Sequence, residues 1–115
     1  MDRFITKNGK LVHISYFVIL LNFKGWIKKH QFVQKDYSHV IFRFVKWPDM
    51  PAPSPHELDQ IAAKTREVMG EDCKVRFDFL DEIQPSASGK HCYFISEINN
   101  AAGPPPRPDS PLAIS

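Results

Sequence analysis

Residues 73–97 read CKVRFDFLDEIQPSASGKHCYFISE, and the reading of this stretch decides the fold. Its first part alternates, with Cys73, Val75, Phe77 and Phe79 on one side and Lys74, Arg76 and Asp78 on the other. Period 2 with aromatic and β-branched weight predicts a strand that turns one face to a core. Asp81-Glu82 ends the apolar run, and Gln84-Pro85-Ser86-Ala87-Ser88-Gly89 suits neither helix nor strand. Lys90 follows that glycine, and Tyr93, Phe94, Ile95 and Ile98 resume apolar character. Lys90 therefore sits on a Ser-Gly loop held between two anchored segments. Two readings of it stand side by side. One is a solvated lysine on a surface turn. The other is a compact ammonium with three donors, presented to a phosphate or carboxylate whose charge shifts during reaction. The loop is not a P-loop, because no G-x-x-x-x-G-K-[ST] precedes a helix here.

Upstream, Ser54-Pro55-His56-Glu57 spells a capping box with proline at the first helical position. Leu58, Ile61, Ala62, Thr65, Val68 and Met69 continue as an apolar stripe at helical spacing, and Gly70 supplies the stop. That helix faces the core, and its stripe is not a ligand box. Trp47–Pro53 is a connector. Ile27–Gln34 and Ser38–Trp47 read as two strands joined by Lys35-Asp36-Tyr37. Apolar residues on both sides of the second, Val40, Phe42 and Phe44 against Ile41 and Val45, predict a central strand covered on both faces. Ile14–Lys24 fits helical spacing through Ile14, Phe17, Val18 and Leu21, though Val18–Leu21 also suits a buried strand. At the start, Asn8-Gly9 between Arg3–Thr6 and Lys10–His13 predicts a hairpin with a type I′ turn.

With 115 residues, 43% hydrophobic and 24% charged, the chain makes one domain with a real core. The domain is expected over 1–100. The remainder, 101–115, holds Pro104, Pro105, Pro106, Pro108 and Pro111 without apolar periodicity and is expected to be a flexible tail. A net charge of +2 does not argue for nucleic acid or an anionic membrane. The run Leu11–Leu21 is too short to span a bilayer and lacks the flanks of a signal peptide. Cys73 and Cys92 carry no metal-ligand spacing, so free thiols in the cytoplasm are expected, with a Cys73–Cys92 disulfide as the alternative.

The segment Asp81-Glu82-Ile83-Gln84-Pro85-Ser86-Ala87-Ser88-Gly89-Lys90, followed by Tyr93 and Ile95-Ser96-Glu97, resembles the last core motif of adenylate-forming (acyl-CoA synthetase-like) enzymes. The branch it resembles is that of the phenylacetate–CoA ligases and capsular-polysaccharide-type ligases, where the motif usually reads D-E-I-P-x-T-x-S-G-K. Here Pro85 stands one position late, and Ser86 replaces the usual threonine. The resemblance tips Ile14–Lys24 toward helix. It implies the small mobile C-terminal domain of such a ligase. It also implies that Lys90 contacts the substrate carboxylate and the α-phosphate region during adenylation, with Ser88 and Gly89 forming the substrate-facing loop. By the same resemblance, Asn8-Gly9-Lys10 matches the turn that faces the catalytic site in the thioester-forming state. Asp2 then aligns with the hinge, although the family's preceding arginine and glycine are missing.

The complete enzyme implied in this way uses ATP, Mg and coenzyme A. The loops that would bind them belong to a large N-terminal adenylation domain and are absent from this chain. No independent activity is expected, and the implied partner is that N-terminal domain, on a separate chain or in a longer parent. Homo-oligomerisation stays open. No histidine pair has metal-ligand spacing, so no metal site is expected, and adjacent His91 and Cys92 point to opposite faces rather than forming a dyad.

Two other functions compete. The order strand, helix, strand, strand, helix, strand also fits a ferredoxin-like module that binds a small molecule or a protein without catalysis. Phe42-Arg43-Phe44 on such a sheet raises an RNA-binding domain, against which the RNA-recognition signature is absent. The expected fold is α+β: a small, mostly antiparallel three-stranded sheet, two packed helices and an N-terminal β-hairpin.

Overall fold

The computed structural model describes residues 3–22, 24–85 and 93–98. Strands β1 (Arg3–Ile5) and β2 (Leu11–His13) form an antiparallel hairpin that leads directly into helix α1 (Ile14–Leu21). Strands β3 (Ile27–Asp36) and β4 (His39–Lys46) follow as a second hairpin. Helix α2 (Pro55–Met69), β5 (Lys74–Leu80) and β6 (Phe94–Ser96) complete the order. The α+β class is as expected, but the sheet is not. It has four strands in the order β5-β4-β3-β6. Only β3–β4 is antiparallel, while β4–β5 and β3–β6 are parallel, so the sheet is mixed. The β4–α2–β5 crossover forces the first parallel pair, since a strand reached through a helix returns in the same direction. A three-residue edge strand such as β6 carries too little periodicity to be recognised beforehand.

Both helices pack on one face of the sheet. There Phe32, Val40, Phe42 and Phe44 meet Phe17 and Leu21 of α1 and Ile61 and Met69 of α2. Each such aromatic side chain contributes roughly 1.5–3 kcal/mol on burial. Their rings meet mostly edge to face, as in Phe17–Phe42 at 5.7 Å and Phe32–Phe42 at 5.4 Å. On the other face Val33, Ile41 and Val45 are also buried, so the two inner strands are covered on both sides, as the paired apolar pattern of β4 predicts.

Local chemistry explains the ends of the helices. Ser54 Oγ accepts from Glu57 N at 3.2 Å with Pro55 at the first turn, and Gly70 closes α2 at φ +121°. The Glu57 carboxylate accepts from the Trp26 indole N–H at 3.0 Å, tying the start of α2 to the approach to β3. At α1, His13 Nδ1 accepts from Ser15 N at 3.0 Å. The first hairpin departs from the expected type I′ turn. Gly9 N donates to Thr6 O at 2.9 Å, Thr6 N donates to Lys10 O at 2.8 Å, and Gly9 takes φ +87°. This is a three-residue loop, Lys7-Asn8-Gly9, with the left-handed residue last. Register is the reason. Phe4 pairs with Val12 and both are buried, whereas a two-residue turn at Asn8-Gly9 would set Phe4 opposite His13.

Candidate functional site

Of the sequence-predicted site residues, the structure describes Asn8, Gly9 and Lys10, which stand at one end of the sheet. At one end β3 finishes and β4 and β5 begin; the hairpin β1–β2 sits there. Gln34, fully buried on β3, binds it through the backbone of Ile5. The Gln34 amide donates to Ile5 O at 2.7 Å and accepts from Ile5 N at 3.0 Å, and it also donates to Asp36 O at 3.2 Å. A side-chain amide thus replaces one rung of a β-ladder and joins the small sheet to the large one. The turn itself is held by Thr6, whose buried Oγ1 accepts from Lys10 N at 3.0 Å. Lys7 forms an ion pair with Asp72, just ahead of β5, and this hydrogen bond holds the Asp72 carboxyl below its ordinary value. Asn8, Gly9 and Lys10 stand exposed at the tip, with open space around Gly9. The structure therefore presents these three together on an exposed turn hydrogen-bonded at its base.

At the other end, about 25 Å away along β4 at the usual strand rise, β5 and β4 finish and β3 begins, while β6 starts beside Phe32, midway along β3. The connector from β5 to β6 joins the two edge strands of the sheet, and its described start, residues 81–85, lies at this end. Its departure is fixed: Glu82 pairs with Lys29 of β3 at 3.1 Å, accepts from Ile83 N at 3.1 Å, and Ile83 is buried. The Lys29 hydrogen bond, followed by that to Ile83 N, draws the Glu82 carboxyl below its ordinary value. Asp81-Glu82 is therefore turn chemistry rather than an acid–base pair. The return is fixed as well, with Phe32 N donating to Tyr93 O at 2.8 Å and the Tyr93 ring 5.3 Å from that of His30. Ser88, Gly89 and Lys90 belong to the middle of this connector and lie outside the described residues, as do Cys92, Asp2 and the tail 101–115.

At this end Trp47 (44% exposed) and Met50 (38%) show large apolar surface, and Tyr93 (46%) does so further along β3. Lys28 stands over the Trp47 ring at 5.5 Å. Lys46 ties the neighbouring turn together by donating to Trp47 O at 2.8 Å and to Met50 O. The sequence reads Trp47–Pro53 as a connector, and the exposure of Trp47 and Met50 on it emerges only from the structure.

Several other readings lose their residues here. Phe42 and Phe44 are fully buried beneath the helices, so they present no face on which an RNA base can stack. The strand ahead of α1 pairs within its own hairpin and does not enter the main sheet, so the ferredoxin-like arrangement is not formed. Cys73 is a free, buried thiol whose pKa burial pushes up, which keeps it protonated and poorly nucleophilic. Among the described residues no three His, Cys, Asp or Glu side chains gather as a metal site, and no helix is long and apolar enough to cross a membrane. A groove of about 290 Å³, lined by Leu20, Lys24, Ile61 and Lys64 among others, lies between the helices.

A helix-covered mixed sheet with a hairpin pinned at one end defines a small α+β accessory domain. It presents loops rather than enclosing a substrate. Residues 4–97 match the family model of the CapK C-terminal domain, and the chain belongs to that family, the C-terminal domain of a larger ligase-like enzyme. No curated protein and no solved structure matches it.

Proposed function

We propose that this domain is the mobile lid of an adenylate-forming ligase. In this reading it docks on an N-terminal adenylation domain and delivers Lys90 to the adenylation transition state. Support comes from the family match together with one structural observation. The segments that flank S-G-K are both held to β3, Glu82 by Lys29 and Tyr93 O by Phe32 N. A loop anchored on both sides holds its tip with less entropy to lose on docking. The exposed apolar side chains of Trp47 and Met50 then supply part of the surface that the N-terminal domain covers. The opposite end, with Asn8-Gly9-Lys10, is suited to a second docked orientation for thioester formation.

In the reaction, the N-terminal domain holds the acyl carboxylate, ATP and Mg, and coenzyme A is the later acceptor of the acyl group. Lys90 donates to oxygens on which negative charge accumulates as the acyl–phosphate bond forms, and Gly89 lets the loop approach closely. Asp2 serves as the hinge between the two orientations. Mixing the chain with a matching N-terminal adenylation domain restores ATP–pyrophosphate exchange, and Lys90→Ala removes about a hundredfold or more of that gain. No rescue by matched partners, or rescue unaffected by Lys90→Ala, contradicts the proposal. A ligand-induced melting shift with a small molecule but never with a partner domain favours the non-catalytic module instead.

A further inference from the structure

Strand β5 forms one edge of the four-stranded sheet, and among the described residues it pairs on one side alone. Lys74 N donates to Ser38 O at 2.7 Å, so the backbone groups of Lys74 face β4. By the alternation of a strand, Arg76, Asp78 and Leu80 face β4 too, and Val75, Phe77 and Phe79 turn their N–H and C=O groups to the open edge. Side chains divide in the other sense. Val75 and Phe77 pack against the helix-covered core, Phe79 is 46% exposed beside them, and Arg76 and Asp78 stand on the far face. There Arg76 grips Asp78 through Nε and a terminal nitrogen, both at 3.0 Å. The first residues leaving β5 turn away from this edge, with Glu82 reaching inward to Lys29 of β3.

We propose that this edge is a self-association surface, at which two copies of the chain pair β5 with β5 antiparallel about a two-fold axis through Phe77. Only registers that oppose odd residues with odd residues let the outward backbone groups bond. Of the three such registers nearest the strand centre, charge selects one. Centring on Arg76 sets Arg76 against its own copy, and centring on Asp78 sets Asp78 against its own copy. Centring on Phe77 sets Arg76 against Asp78 twice, Val75 against Phe79 twice, and Phe77 against itself. The Arg76–Asp78 pairs then occupy the non-hydrogen-bonded positions, where cross-strand side chains come closest. The exposed Phe79 rings are covered in the same step. An isologous interface requires a self-complementary patch, and β5 is one. This inference stands apart from the lid function, since it uses neither Lys90 nor the hairpin turn.

Sedimentation of the whole chain over a range of concentrations tests it. The native chain shifts toward twice the monomer mass as concentration rises, and the amides of Val75, Phe77 and Phe79 gain exchange protection while those of Arg76 and Asp78 do not. Arg76→Asp and Asp78→Arg each weaken association about tenfold or more, because symmetry doubles every like-charge contact. The double exchange restores the dimer, and the two single variants mixed together form a heterodimer. Unchanged circular dichroism and melting of the variants at low concentration shows that the fold is intact. A native chain that stays monomeric throughout, or a dimer indifferent to both single reversals, overturns the proposal.

Discussion

Gln34 is the residue on which the placement of the hairpin turn depends. Its amide is the joint between Ile5 and β3, and it is fully buried. Gln34→Leu keeps the volume but leaves the Ile5 N–H and C=O without that partner, at a cost of about 2 kcal/mol or more. Urea unfolding reads the loss, and hydrogen exchange at Ile5 rises more than at β4. The sequence points to a structural role for this glutamine but does not name its partner, which lies 29 positions away. Glu82 carries a second residue-scale prediction. Its folded pKa lies below the ordinary 4.5. A depressed carboxyl contributes stability that is full above its unfolded pKa and is lost as pH falls through the folded value. Melting temperature therefore declines below about pH 4, and Glu82→Gln flattens part of that acid limb. High salt shrinks the difference, since the pair with Lys29 is exposed.

Among the elements, α2 was fully legible and β6 was not, and the contrast is physical. Ser54, Pro55 and Gly70 each satisfy or terminate local backbone geometry, so their effect does not depend on tertiary context. Ser54→Ala removes the acceptor for Glu57 N and lowers stability by about 1 kcal/mol, measured by thermal or urea unfolding. Substitution of Ser54 by Asp keeps the cap and most of the stability. The extent of β6, by contrast, is set by the three positions of β3 with which it pairs, and no local signal announces it. The first hairpin lies between these cases. Asn8-Gly9 marked the turn correctly, yet the loop length followed from the need to bury Phe4 and Val12 on one face. β5 was recognised by alternation alone, although that pattern says nothing about which of its edges remains open.

For the molecule as a whole, the sheet order converts two distant sequence motifs into two poles. The hairpin tip occupies one end, and Asp81-Glu82-Ile83 leave β5 at the other. Periodicity predicts the strands but not their neighbours, which explains why three antiparallel strands were expected where four mixed ones occur. The family membership over residues 4–97 agrees with the resemblance read from the connector motif at the level of a ligase-like C-terminal domain. The central claim is that such a domain completes a reaction centre housed elsewhere, and that its contribution is one ammonium. The most direct measurement titrates this chain into a matching N-terminal adenylation domain and follows ATP–pyrophosphate exchange. A saturable rise with the native chain, with Lys90→Ala still binding but yielding about a hundredth of the rate or less, is the predicted result. A flat titration, or equal rates with both forms, contradicts it.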